Sequence, residues 1–276
     1  MQIAVSSWSF HGPLYAGSLR LADVPQAVYE LGVRLVELND VFLTPAPPRG
    51  LSRVLGAKES HSGGPDYGRR SLMHLRQSRL RSGTRLVCWT IDTDLSVVPE
   101  EQRRAQRAYI GTAIEAARFL GAPIVRLTLG GESGDRAGLG RAIDMLRSVL
   151  PAAMASGVRL AIENHGGLSS EIESLEEAVA ATQRQAGVCL DVSHFREGEH
   201  AEGMRRLAPF AIHVHAMARA FDERGEETSI DYRLSMAALR QAGYGGAISI
   251  EYGGDGDPRN GILKTKALIE RYREVT

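Results

Sequence analysis

The segment RLAIENHGG, residues 159–167, starts as a strand should, with apolar residues alternating, and stops on a carboxylate, an amide and an imidazole ahead of two glycines. Side chains alternate across a strand. If Glu163 faces one side, Ala161 shares that side, and Leu160 and Ile162 face the other. The same shape recurs along the chain. LGVRLVEL (31–38), LGAPIVRL (120–127), AGVCLD (186–191) and GGAISIEY (245–252) each follow a helical run, pass a glycine and carry a charged residue in the last or next-to-last position. Glycine just past a helix end supplies the left-handed backbone that stops the helix.

Eight strands are expected, near residues 2–7, 33–38, 85–90, 124–129, 158–163, 187–191, 211–215 and 247–251. Helix-length stretches lie between them: Pro99–Leu120, Asp135–Ser156, Leu175–Gln185, Glu202–Ala208, Ser235–Ala242 and Lys264–Arg273. Strand then helix, repeated, implies parallel strands with right-handed crossovers. Eight such units in a chain of this length predict an α/β fold, a single-domain (β/α)8 TIM barrel over residues 1–276. A doubly wound open sheet is disfavoured, because SSWSFHG stands after the first strand where a G-x-G-x-x-G turn would be needed. Residues 44–69, TPAPPRGLSRVLGAKESHSGGPDYGR, break the pattern. A long irregular connection after the second strand lies over the C-terminal face of a barrel, so it reads as an active-site loop.

The alternation rule brings four polar tips together. Glu163 lies above Ala161, Asp191 above Cys189, His215 above His213 and Glu251 above Ser249, all facing inward on four consecutive strands. Three carboxylates converging in a partly dry mouth repel one another, and a divalent cation removes that cost. Three oxygens and one imidazole suit Mn²⁺ or Mg²⁺ first, with Co²⁺ or Zn²⁺ as alternatives. Arg126 and Glu37 also end strands facing inward and are candidates for substrate contact. Trp8 and Phe10 after the first strand, and Trp89 after the third, are candidates for an apolar wall.

Composition closes off other classes. Lys plus Arg is 33 and Asp plus Glu is 33, so no net charge steers the protein to nucleic acid or an anionic membrane. No stretch approaches the roughly 20 apolar residues of a membrane span, and MQIAVSSWSF lacks the basic and apolar regions of a signal peptide. Cys88 and Cys189, the two cysteines, sit in apolar runs and read as reduced thiols of a cytoplasmic protein.

SSWSF (6–10), GVRLVELN (32–39), RLAIENHGG (159–167), VCLDVSH (188–194), IHVHA (212–216) and GAISIEY (246–252) together resemble the xylose isomerase-like TIM-barrel superfamily, in its sugar phosphate isomerase/epimerase branch. The resemblance implies one divalent metal on Glu163, Asp191, His215 and Glu251. It implies a small sugar or keto-polyol as substrate, with His194 touching it or a second metal, and commonly a dimer or tetramer. The implied reaction is isomerisation or epimerisation: Glu163 and Glu251 remove and return the proton next to a carbonyl, and the metal stabilises the enediolate. His165 would orient these groups. Where the family reads H-x-K-D, this chain reads His215-Ala-Met-Ala, and Arg219 is the candidate replacement cation. A dehydratase of the keto-inositol or dehydroshikimate type would use the same enolate. A non-catalytic sugar binder and an abasic-site endonuclease are the remaining alternatives. The nuclease needs further metal-binding histidines, and His11, His61 and His74 stand in no matching motif.

Overall fold

The computed structural model describes residues 1–44 and 65–274. Eight parallel strands close into one barrel in chain order: β1 (Gln2–Ser6), β2 (Leu35–Asn39), β3 (Arg85–Thr90), β4 (Ile124–Leu127), β5 (Arg159–Glu163), β6 (Ala186–Asp191), β7 (Ala211–Ala218) and β8 (Ala247–Tyr252). Closure rules out the open sheet. The helices that follow the strands are α1 (Val24–Glu30), α2 (Arg69–Ser82), α3 (Glu100–Leu120), α4 (Arg136–Ala155), α5 (Ile172–Ala181), α6 (His200–Leu207), α7 (Tyr232–Gln241) and α8 (Pro258–Arg273). Leu160, Ile162, Val188, Leu190, Val214, Ile248 and Ile250 face outward and are fully buried against these helices, so the main apolar core is the layer between barrel and helices.

Two of these helices escaped the sequence pattern. In α2, RRSLMHLRQSRLRS, arginines outnumber apolar residues, and only Ser71, Leu75 and Ser82 are buried, so the helical period is faint. The helix α1 is short and follows a 3-10 turn. Of the expected loop 44–69, residues 45–64 lie outside the described residues, and Arg69 already begins α2. The strand β7 runs three residues further than expected, carrying Met217 and Ala218 into the ladder with β8.

The glycine rule holds at Gly32, Gly121 and Gly157, which have φ of 74°, 81° and 69°. It fails at Gly187, which lies inside β6, where a Cβ would meet Ile212 at 2.5 Å. The chain leaves α5 instead through Gln183 and Arg184, both with positive φ. After α7 the left-handed residue is Gly243, not Gly245 or Gly246.

Gly167 has a structural duty. Its φ is 64°, and a Cβ would sit 2.3 Å from the Gly131 carbonyl oxygen and 2.8 Å from that of Gly130. The turn therefore packs the end of β5 against the loop after β4. Gly167→Ala is expected to cost at least about 2 kcal/mol from the left-handed backbone and the clash together. Urea unfolding of the variant measures it.

Candidate metal centre and active site

The four strand tips meet. One ligand atom each from Glu163, Asp191, His215 and Glu251 lies within 4.8 Å of all the others, and all four residues are buried. The register explains this: Asp191 pairs with His215 across β6 and β7, and Glu251 pairs with Met217, two residues beyond His215. Asn164, the middle residue of the opening motif, ties two of these strands together. Its Oδ1 accepts from the Asp191 amide at 2.7 Å, and its Nδ2 donates to the Asp191 carbonyl at 2.8 Å. The sequence reading gave Asn164 no task.

His215 is held from both sides. Its Nε2 lies 2.9 Å from Glu37 Oε1, and its Nδ1 lies 2.5 Å from Glu163 Oε1 and 3.7 Å from Glu251 Oε2. A tautomer that donates from Nε2 to Glu37 leaves the Nδ1 lone pair facing the carboxylates, the usual way a carboxylate orients a ligating histidine. Burial alone would lower the His215 pKa. The Cys189 thiol and the carboxylates of Glu251 and Glu37 hold it well above the ordinary value.

Glu37 is therefore placed below the site rather than on its wall. It is fully buried, accepts from Thr90 Oγ1 at 2.6 Å, meets His213 Nε2 at 2.6 Å, and is absent from the pocket lining. Burial would raise its pKa, but His215 and His213 hold it well below the carboxylate range.

The residues fit a divalent ion by two independent marks. Asp191 Oδ2 is buried with no hydrogen-bond partner, although His194 Nδ1 lies 3.3 Å away. Such a carboxylate oxygen is costly unless a cation meets it. Glu251 has no hydrogen bond from the described residues, lies among the carboxylates of Glu163 and Asp191 with His215 Nδ1 3.7 Å away, and burial pushes its pKa up. Three oxygens and a nitrogen are the donor set of a fairly hard ion.

Above the four tips opens a cavity of about 270 Å³, near the low end of the usual range for small-molecule pockets. Trp8, His165, His194, Arg126, Arg219 and Glu251 all line it. Arg126 forms ion pairs with Glu163 and, at 3.0 Å, with Asp92, and donates to the Ile91 carbonyl at 3.1 Å. His165 and His194 stack edge to face with ring centroids 4.5 Å apart. Burial and the charges of His194 and Arg126 lower His165 to about 4, so it stands neutral. Arg219 is exposed at the rim, with its backbone N–H held by Glu227 Oε1 at 3.1 Å. Of the expected apolar wall only Trp8 lines the pocket. Phe10 and Trp89 are core residues, with Trp89 Nε1 donating to the Tyr67 hydroxyl at 3.1 Å.

The residue that sequence reasoning missed is Asp40, directly after β2. It lines the pocket, is 2% exposed, and its Oδ2 accepts from the hydroxyls of Tyr67 and Tyr109, each at 2.6 Å. Burial pushes its carboxyl up to about 6 against the pull of those two hydroxyls. The folded chain thus binds this proton more tightly than the unfolded chain does. The associated stability is whole below about pH 4, declines as the pH rises, and is gone once the pH passes about 6. Asp40→Asn keeps an acceptor for both tyrosines and removes the titration. It is expected to be more stable than the parent by about 1–3 kcal/mol at pH 8, with the gap narrowing toward pH 4.5. Urea unfolding at the two pH values checks the sign.

Cys88 and Cys189 are free and buried. No helix among the described residues is long and apolar enough to cross a membrane.

Known proteins extend this picture. A solved D-psicose 3-epimerase from Clostridium cellulolyticum H10 superposes with a TM-score of 0.76 at 14% identity over 100% of both chains. A 3-keto-D-glucoside 4-epimerase from E. coli gives 0.73 at 14% identity, over 98% of this chain and 99% of that one. At such identity the likeness is one of fold. The alpha subunit of a C-glycoside deglycosidase from Microbacterium trichothecenolyticum is 46% identical over 50 residues, which is 18% of this chain and only 14% of that relative. The family model described as xylose isomerase-like TIM barrel matches residues 26–274. The chain belongs to the xylose isomerase-like TIM barrel family.

Proposed function

We propose that this protein is a divalent-metal-dependent isomerase or epimerase of a sugar or keto-polyol, working by proton removal next to a carbonyl. The observation that carries the reading is the buried constellation of Glu163, Asp191, His215 and Glu251, with Asp191 Oδ2 lacking a hydrogen bond, beneath a cavity lined by Arg126, His165, His194 and Arg219. The epimerases that share the fold, the D-psicose 3-epimerase and the 3-keto-D-glucoside 4-epimerase among them, support it.

Glu163, Asp191, His215 and Glu251 would hold the ion, Mn²⁺ or Mg²⁺ by donor type. When bound, it supplies Lewis-acid stabilisation of the charge that develops on substrate oxygens. The protein's part is positioning and proton transfer. Glu163 and Glu251 come from β5 and β8, with β6 and β7 between them in the ring. They can therefore approach one carbon from two sides. One carboxylate takes the proton and the other returns one to the opposite face, which inverts the centre. Arg126 holds one oxygen of Glu163, which fixes its direction. His194 and Arg219 meet substrate oxygens at the wall and rim, and Trp8 covers an apolar face.

A second reading keeps the same first step. After proton removal, a group on the next carbon leaves instead of the proton returning, as in a dehydratase. The short likeness to a C-glycoside deglycosidase subunit favours keeping it in view. One screen separates the readings. Ketoses, keto-acids and keto-inositols are incubated with the Mn²⁺-loaded protein in deuterated buffer and followed by NMR. Deuterium at a carbon next to the carbonyl, with an epimer or isomer formed, is the expected result. An unsaturated product identifies the elimination. No exchange on any member sinks the enzyme reading.

A further inference from the structure

We propose that Asp40 binds a hydroxyl of the substrate on the side of the pocket away from the metal ligands, and so selects which sugar isomer the site accepts. The inference rests on the sugar isomerase reading and deepens it.

The barrel divides the pocket by strand. The four ligand residues come from β5 to β8, one half of the ring. Asp40 follows β2, four strands from β6 in a closed ring of eight, so it stands across the mouth from Asp191. A molecule held at the ligand side and filling the cavity reaches Asp40, which lines it.

The carboxyl is also presented. Both tyrosine hydroxyls donate to the same oxygen, Oδ2, and Trp89 in turn donates to the Tyr67 hydroxyl. No hydrogen bond from the described residues reaches Oδ1. Among the described residues, one oxygen is thus gripped and the other is unengaged. Arg126 makes no ion pair with it, being engaged with Glu163, Asp92 and the Ile91 carbonyl, and acts on it only through its charge at a distance. If the duty were to anchor two tyrosines, a neutral acceptor would serve without burying an acid. A carboxyl fixed through one oxygen at the pocket wall is instead suited to a hydroxyl, and hydrogen bonds to such groups are among the strongest available for recognition.

The chemistry restricts which hydroxyl it is. An epimerase binds both configurations at the reacting carbon. The hydroxyl read by Asp40 therefore lies on a carbon that does not react, and isomers differing there are discriminated.

The test compares the parent protein, Asp40→Asn and Asp40→Ala, each loaded with Mn²⁺. Solvent deuterium incorporation gives kcat/KM for a set of ketohexoses, then for the deoxy analogues of the sugar that reacts fastest. In the parent, one deoxy analogue altered at a non-reacting carbon should lose about 10- to 100-fold. Asp40→Ala should lose a similar factor on the complete sugar and nothing further on that analogue, while the penalties at other positions stay as in the parent. Asp40→Asn keeps both tyrosine contacts, so it guards against misfolding, and circular dichroism verifies its fold. It should relax the same single position. If every deoxy penalty is the same in the parent and both variants, Asp40 only supports the tyrosines and the inference is overturned. If the parent itself exchanges protons on no sugar, the sugar isomerase reading has failed and the inference falls with it.

Discussion

Glu163→Gln is expected to slow proton exchange at the substrate carbon by about 10³-fold or more, a general-base loss of 10²–10⁴ combined with weaker metal binding. The amide cannot accept a proton at this driving force and is a poor ligand for a hard ion. It also puts an NH₂ group in place of a carboxylate oxygen, and facing Arg126 that group turns an attraction into a donor–donor clash. The stability cost is smaller. Arg126 keeps the Ile91 carbonyl and Asp92, so the loss is expected at about 1–3 kcal/mol, below that of a fully orphaned buried charge. The separation between the two effects is informative. Deuterium incorporation measures the first, and urea unfolding the second. Exchange within about tenfold of the parent would remove Glu163 from the proton path.

Glu37→Ala is expected to damage the site without touching the cavity. Removing the carboxylate leaves His213, His215 and Thr90, all buried, without the acceptor they share. Ser249 Oγ, 3.0 Å from His213 Nε2, is the partner that remains. Such a loss costs about 3–5 kcal/mol and lowers the melting temperature by roughly 10 °C for a chain of this size. The His215 ring also loses the group that fixes its tautomer, so Mn²⁺ affinity should fall about 10- to 100-fold. Glu37→Gln retains an acceptor and should recover most of the stability but less of the affinity. Calorimetric Mn²⁺ titration and thermal melting check both. Unchanged affinity in Glu37→Ala would mean that the ring is oriented by other contacts.

The sequence made the strand tips legible because alternation is a local property. Once Glu163 is placed inward, Asp191, His215 and Glu251 follow from the same count on neighbouring strands. Pairing sets Asp191 level with His215, while Glu163 pairs with Cys189, two residues before Asp191, and Glu251 with Met217, two residues beyond His215. Depth was not legible. Glu37 also ends an apolar run and also faces inward, but the stagger of the barrel pairs it with Ser6 and Cys88 and sets it beneath His215 rather than beside it. Asp40 was invisible for another reason. In LND it reads as a turn or capping residue, and the hydroxyls that define its role come from 27 and 69 residues away. Asn164 was quoted in the motif, yet its contacts are backbone groups of β6, which leave no residue-type signal. In RLAIENHGG, then, Glu163 and Asn164 serve the centre, His165 lines the pocket, and Gly167 fits the turn against the loop after β4.

The central claim is that one divalent ion belongs to Glu163, Asp191, His215 and Glu251. The most direct measurement is the electron paramagnetic resonance titration of Mn²⁺ into protein stripped with chelator and dialysed. The account predicts close to one equivalent bound by the parent and about 0.1 equivalent or less by Asp191→Ala, whose fold is verified in parallel. Uptake of less than about 0.1 equivalent by the parent itself, or full uptake by Asp191→Ala, would contradict it.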